Sequence, residues 1–242
     1  MECARLNRYG LLSVTGADAR AFLHAQLTND VANLAPDRAA LAGWCTAKGR
    51  LLATMLVIPS ADGFLLQLAN DLAAAVAKRL SMFILRSKVK ISDESDAWAQ
   101  YGLWDADVPV SGVAWQDGAV TVSLGERRFL RIGKNLAQSC AQSEERWTLQ
   151  EIRAGRPWIS AATQDQFVPQ MVNLETMGGI DFQKGCYPGQ EIVARAQYRG
   201  QVKRRMTRVE LPEGTQLKPG EEFQGGVVVD SAAGEALAVM PV

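Results

Sequence analysis

The chain has 242 residues, of which 26 are basic and 26 acidic, and 48% are hydrophobic. This composition provides apolar surface for one large domain or for two to three small packed ones, and it argues against a disordered or strongly basic protein. The longest apolar run, residues 51–58, is far too short to span a bilayer, and the N-terminus lacks the features of a secretory signal. We therefore expect a cytoplasmic protein without a membrane segment.

The first half of the chain predicts strands and helices in a simple order. Residues 5–14 alternate weakly and predict a strand, and a helix follows to about residue 27. Residues 40–58 are strand-like and are interrupted by a Lys-Gly-Arg turn at 48–50, and a helix begins near residue 70. Because this order lacks βαβ repetition, it indicates an α+β fold.

The polar residues 28–30 (TND) end the first predicted helix. They have two interpretations, as hydrogen-bonding groups for a ligand or as a plain C-terminal cap.

The second half predicts mostly short strands. Residues 88–132 contain several of them, and a helix over about 149–154 ends at Gly155. Residues 207–242 are short strands separated by glycine and proline turns, a pattern typical of a small β-barrel module.

The four cysteines are widely scattered, and the chain has a single histidine, His24. Without a C-x-x-C pair or a histidine cluster, the sequence predicts no metal site. Nothing local predicts that His24 lies beside a cysteine, so we expect a surface or hydrogen-bonded histidine.

Residues 184–191 (KGCYPGQE), here called the signature turn, contain two glycines and a proline. These residues favour a sharp turn, and Pro188 suits the first turn of a following helix. Cys186 therefore precedes a predicted helix N-terminus and follows Lys184 by two positions. Both features favour a thiolate, and the alternative is a buried cysteine in a tight turn.

A basic stretch follows the signature turn. Residues 195–208 contain six basic side chains and no acidic one. In a chain with no net charge this stretch predicts a local anion-binding surface. The alternative is an ordinary solvated strand face.

The signature turn resembles the corresponding motif of the YgfZ family, folate-binding proteins related to the aminomethyltransferase (T-protein) of the glycine cleavage system. Other segments resemble further blocks of the same family: 14–18 (VTGAD), 26–31 (QLTNDV), 45–50 (CTAKGR), 167–170 (FVPQ), 173–174 (NL) and 178–179 (GG). Together these blocks cover most of the chain.

The resemblance implies a clover-like arrangement of small α+β domains around a central cavity, with a C-terminal β-barrel-like module. It divides the chain into an N-terminal folate-binding-type domain at 1–92, completed by 145–200, a middle segment at 93–144, and the module at 201–242. Tetrahydrofolate, or a derivative, is the ligand that it implies for the cavity.

Cys186 is the reactive group that the resemblance implies. A folate needs an apolar, partly aromatic slot for the pterin and cations for its glutamate carboxylates. Aromatic candidates besides Tyr187 are Phe182 and Trp44. The folate-binding residues that we expect are Lys184, Tyr187, Gln190, Arg195, Lys203, Arg205, Arg153 and Asn173.

Two departures from the relatives affect the predicted chemistry. The aminomethyltransferases carry acidic residues just after the glycine of the second block, whereas residues 49–53 (GRLLA) contain none. Arg153 also replaces a glutamate that holds the pterin in relatives, and a guanidinium cannot accept hydrogen bonds. The chain therefore resembles an aminomethyltransferase scaffold without its catalytic carboxylate, which argues against an enzyme.

The resemblance predicts an accessory protein in iron–sulfur cluster assembly or repair that supports iron–sulfur tRNA-modifying enzymes. Its expected partners are a folate and iron–sulfur enzymes or assembly factors. The alternative is a folate-dependent aminomethyltransferase or another one-carbon enzyme. A nucleic-acid-binding module ranks last, because the basic stretch lacks interleaved aromatic residues for stacking, and no direct contact with nucleic acid is expected.

Overall fold

A computed structural model describes residues 1–200 and 202–242. This part of the chain forms two compact units, each built from separate segments. The first unit comprises Met1–Phe22, Asn33–Ala40 and Leu56–Trp147, and the second comprises Leu23–Ala32, Leu41–Met55 and Thr148–Val242. The three-domain division and the clover-like arrangement stay predictions, and residue 201, the first residue of the predicted C-terminal module, lies outside the described residues.

The described residues fold into fourteen strands and four α-helices, so the mixed α and β class expected from the sequence is confirmed. The strands are β1 (Glu2–Arg5), β2 (Tyr9–Thr15), β3 (Ala40–Cys45), β4 (Leu51–Ser60), β5 (Gly63–Ala69), β6 (Lys90–Asp93), β7 (Ala99–Trp104), β8 (Val113–Gln116), β9 (Ala119–Gly125), β10 (Arg128–Gly133), β11 (Arg204–Glu210), β12 (Glu222–Phe223), β13 (Gly226–Ala232) and β14 (Glu235–Pro241). The helices are α1 (Ala19–Gln26), α2 (Asn70–Ser81), α3 (Glu144–Arg153) and α4 (Gln190–Tyr198).

The first unit contains two antiparallel sheets. One has the strand order β1-β7-β10-β9-β8. In the other, β5 pairs with β2 and with the second half of β4, and β2 also pairs with β6. Helix α2 packs against β2 and β6.

The spacing of apolar residues in the sequence predicts helix α2. Leu72, Val76 and Leu80 are buried at the four-residue spacing that predicted this helix. Ile84 continues the spacing, but the helix ends at Ser81, before Ile84.

A disulfide joins Cys3 to Cys140 in the first unit across 137 residues of sequence. Cys3 lies on β1, whereas Cys140 lies in the irregular segment before α3. The sequence did not indicate this pairing, because neither cysteine has a partner at short spacing.

The second unit contains β3 with the first half of β4, the end of α1, most of α3, helix α4 and a C-terminal sheet. That sheet has the order β11-β14-β13-β12, and all its pairs are antiparallel. A short 3-10 helix, Pro169–Val172, packs against α4 and β11. Helix α3 begins five residues earlier than the predicted start at 149, and it ends before Gly155 as expected.

No α-helix among the described residues is long and apolar enough to cross a membrane.

Candidate functional site

The signature turn in the second unit leads directly into helix α4. Gly189 adopts a left-handed conformation, with φ of 81°, at the N-cap of this helix. Cys186 precedes the helix by four positions, and its side chain is exposed. Cys186 therefore precedes the helix N-terminus as the sequence predicts, and its exposure argues against the alternative of a buried cysteine, whereas its reactivity stays a prediction.

The signature turn packs backbone to backbone against the turn between β3 and β4. Gly49 and Gly189 both have positive φ, 70° and 81°. A Cβ atom added to Gly189 would lie 2.4 Å from the Thr46 carbonyl oxygen and 2.7 Å from the Gly49 Cα. Only glycine fits so close an approach, so the CTAKGR and KGCYPGQE blocks form one structure.

Lys184 fastens the signature turn to the end of α1. Its buried ammonium donates to the carbonyl oxygens of His24 and Leu27, which are among the carbonyls that a helix terminus leaves unpaired. The same ammonium lies 5.0 Å from the centre of the Tyr187 ring. Lys184 is a predicted folate contact, but its ammonium already donates to these two protein carbonyls.

Burial lowers the pKa of Lys184 from its ordinary 10.5 to about 8, although Asp30 and Asp181 act in the opposite direction. Between these two pH values the folded state has released a proton that the unfolded state still holds. We therefore expect the free energy of unfolding to rise with pH between about 8 and 10.5. Denaturant unfolding measures the free energy of unfolding of the unmodified protein and of Lys184→Met across this pH range. The difference between the two pH slopes is the contribution of Lys184. Lys203→Met, at an exposed lysine, is the control. Equal pH slopes for the unmodified protein and Lys184→Met would contradict the expectation.

The polar residues after α1 serve the fold of the second unit. The Thr28 hydroxyl donates to the Gly179 carbonyl at 2.6 Å and accepts from the Gly43 amide at 2.8 Å. The Asn29 side chain donates to the Gly178 carbonyl at 2.7 Å. Of the two interpretations of residues 28–30, these contacts favour the structural one for Thr28 and Asn29, and they bring the QLTNDV and GG blocks together.

His24 lies close to the signature turn. Its Nδ1 accepts from the Ala32 amide at 3.2 Å and lies 3.1 Å from Asp30 Oδ1. Its Nε2 is 3.7 Å from the position that a Cβ on Gly185 would take. The hydrogen-bonded histidine that the sequence predicts is confirmed, but its closeness to the neighbour of Cys186 was not foreseen.

Two of the predicted folate contacts are bonded to each other. Arg205 forms an ion pair of 2.7 Å with Glu175 and donates to Asn173 Oδ1 at 3.1 Å. The Asn173 side chain donates in turn to the Met206 carbonyl at 2.8 Å. These contacts fasten the end of the 3-10 helix to β11.

Arg153 is held by the C-terminal sheet. Its guanidinium donates to Glu235 Oε1 at 2.7 and 2.9 Å, and Arg208 lies 3.6 Å from the other oxygen of the same carboxylate. A folate contact by Arg153 stays a prediction, and it would require the guanidinium to leave Glu235.

The remaining polar candidates are accessible. Arg195 and Lys203 are exposed, and Gln190 is half-buried at the start of α4. Within the described ranges 1–200 and 202–242, neither of these two basic side chains takes part in an ion pair. They are the predicted cations that remain available for an anionic ligand.

The aromatic candidates fall into two groups. Tyr187 and Trp44 are buried, and burial raises the pKa of the Tyr187 phenol, with a smaller contribution from Cys45. Phe182 forms an edge-to-face pair with Tyr198 at 5.8 Å, and Tyr198 is 70% exposed. The sequence did not single out Tyr198, because an isolated aromatic residue near a helix end gives no pattern.

Strand β4 carries no acid where the aminomethyltransferases have one. Leu52 and Ala53 are buried, and the Thr54 hydroxyl donates to the Pro157 carbonyl at 2.7 Å while accepting from the Ile159 amide at 2.9 Å. This segment therefore offers no group for proton transfer.

A buried charged pair near the end of α3 was also not predicted. Glu151 accepts from the Trp158 indole at 2.8 Å and lies 3.5 Å from Arg156 Nε. Arg156 Nη1 is buried and has no hydrogen-bond partner in the described part of the chain. A buried donor without a hydrogen-bond partner costs free energy. The sequence did not indicate this charged pair, because a single arginine before a proline is not a recognisable pattern.

The fold is that of the aminomethyltransferases of the glycine cleavage system. The structure of aminomethyltransferase T from Bartonella henselae superposes with a TM-score of 0.75 over 99% of this chain and 78% of that chain, at 16% sequence identity.

Sequence similarity identifies the family. The tRNA-modifying protein YgfZ of Escherichia coli (strain K12) is 31% identical over 90% of this chain and 77% of its own length. The protein of the same name from Shigella sonnei (strain Ss046) is 30% identical over the same shares. The chain belongs to the YgfZ family. No protein-family model matches it.

Proposed function

We propose that this chain is a folate-binding accessory protein of tRNA modification, and that it acts in the assembly or repair of iron–sulfur clusters. The observation that carries the proposal is the exposed Cys186, held in a turn that Gly49, Gly189 and Lys184 fix in place. An exposed thiol on a rigid turn before a helix suits redox chemistry or transient bonding to a partner. The expected partners are iron–sulfur enzymes or assembly factors.

The charge distribution supports a folate with modest affinity. Arg195 and Lys203 are exposed cations for the glutamate carboxylates of the ligand, whereas Lys184, Arg153 and Arg205 already bind protein groups.

Tetrahydrofolate is expected to bind in the micromolar range or more weakly, a free energy of about −8 kcal/mol or smaller in magnitude. The double variant Arg195→Gln/Lys203→Gln should weaken binding by roughly tenfold, because exposed charge pairs each contribute up to about 1 kcal/mol. Isothermal titration calorimetry measures both values. Arg127→Gln, at an exposed arginine of the first unit, serves as the matched control.

Two results would oppose the folate assignment. One is the absence of saturable binding at millimolar tetrahydrofolate. The other is an unchanged affinity of the double variant for tetrahydrofolate, which would mean that Arg195 and Lys203 do not bind its carboxylates.

A further inference from the structure

The first unit contains a cavity of about 640 Å³. This volume lies within the range of small-molecule sites. Its walls come from β2, the end of β4 and the turn into β5, strand β5, the segment after β6, strand β8, the residue after β10 and Pro36 in the segment before β3. None of the residues predicted to bind folate lines it.

Two tryptophans form perpendicular walls of this cavity. The ring centres of Trp98 and Trp115 are 6.3 Å apart, with an angle of 84° between the rings. The Trp115 indole donates to the Pro59 carbonyl at 2.9 Å, which fixes its orientation, yet the side chain remains 40% exposed. A planar ring that stacks on one tryptophan meets the other edge to face, an arrangement that aromatic rings prefer.

The indole nitrogen of Trp98 lacks a partner. Its Nε1 is buried and makes no hydrogen bond to any described residue. Because this atom has almost no accessible surface, a ligand in the cavity does not reach it, and the Lys134 ammonium lies 5.4 Å from the centre of the Trp98 ring. The face available for stacking is therefore that of Trp115.

The charged lining is acidic on balance. Asp62 and Glu94 contribute two carboxylates against the single ammonium of Lys134. Glu94 Oε1 accepts from the Ser13 hydroxyl at 3.3 Å, and Oε2 lies 3.9 Å from Lys134 Nζ. Neither contact is short, so the Glu94 carboxylate retains capacity to accept from a ligand amino group.

We infer that this cavity binds a planar heteroaromatic ring with an exocyclic amino group, of the aminopurine type. The ring stacks on the partly exposed face of Trp115 and meets Trp98 edge to face, and the amino group donates to Glu94. Such a ring exists as a free nucleoside or as an unpaired base of RNA. The two carboxylates disfavour phosphates, so the inference commits to the uncharged nucleoside.

Titration of the full-length protein with adenosine tests the inference, with tryptophan fluorescence and calorimetry as readouts. The dissociation constant expected for adenosine is of the order of 0.1 mM. Inosine has a carbonyl where adenosine has the amino group, so it should bind roughly tenfold more weakly. AMP and a short oligoriboadenylate should also bind more weakly than adenosine.

Two variants examine the contacts separately. Trp115→Leu removes the stacking face but keeps an apolar side chain, and it should weaken adenosine binding about threefold to tenfold. Glu94→Gln should reduce the preference for adenosine over inosine, since an amide can also donate to the inosine carbonyl. Trp104→Phe is the control, because Trp104 packs on Trp147 and does not line the cavity.

Absence of saturable adenosine binding up to about 10 mM would overturn the inference. Equal affinity for adenosine and inosine would show that the protein does not recognise the amino group. Tighter binding of AMP or of the oligoriboadenylate would assign the cavity to a phosphate-bearing ligand instead.

Discussion

Alkylation of the native, unreduced protein at neutral pH should label Cys186 first, at least about 100-fold faster than Cys45. Burial raises the pKa of the Cys45 thiol from 9.0 to about 12. A shift of this size lowers the thiolate fraction at neutral pH by roughly a thousandfold, and the thiolate is the nucleophile. Burial also blocks the approach of the reagent, whereas Cys186 is exposed. Cys3 and Cys140 should stay unlabelled, because they form a disulfide.

Timed quenching followed by peptide mass spectrometry measures the four rates. In Cys186→Ser the fast phase should disappear while the slow labelling of Cys45 continues, and labelling of Cys3 and Cys140 should begin only after reduction. If Cys186 instead labels last, after reduction as well, it is a packing residue, and the reactive-thiol part of the proposal fails.

Ammonia release from an aminomethylated lipoyl carrier and tetrahydrofolate should stay at the background rate in the presence of this protein. Leu52 and Ala53 occupy buried positions on β4, and residues 49–54 contain no acid. General acid–base assistance typically contributes about 100-fold to 10,000-fold, so its loss leaves little transfer.

The positive control is an aminomethyltransferase T in the same assay, with the carrier and folate at identical concentrations. Robust ammonia release that depends on this chain would favour the alternative function, a folate-dependent aminomethyltransferase.

Local patterns in the sequence predicted a good part of the fold. The spacing of Leu72, Val76 and Leu80 predicted α2, and the Lys-Gly-Arg turn between β3 and β4 is where the sequence places it. The start of α3 was harder to predict, because its first turn is Glu144, Glu145 and Arg146, which have no apolar period.

The site was only partly readable, because its geometry depends on contacts between distant segments. The sequence drew attention to Lys184 and Gly189, but it did not show what they contact. The Lys184 ammonium binds carbonyl oxygens at the end of α1, and Gly189 packs against the backbone of residues 46–49. The ion pairs of Arg153 and Arg205 join residues 82 and 30 positions apart, so neither was visible as a local pattern. The cavity of the first unit is assembled from side chains between residues 13 and 134, which explains why no motif indicated it.

Genetic rescue tests the central claim most directly. A bacterial strain that lacks its own YgfZ-family gene would receive this chain, its Cys186→Ala variant or, as the matched control, Cys45→Ala, with protein levels compared by immunoblot. The readouts are the activity of an iron–sulfur enzyme and the level of tRNA modification, measured by mass spectrometry. We expect the unmodified chain and Cys45→Ala to restore both, and Cys186→Ala to restore them less. Failure of the unmodified chain at normal abundance would contradict the accessory function, and full rescue by Cys186→Ala would remove this thiol from the mechanism.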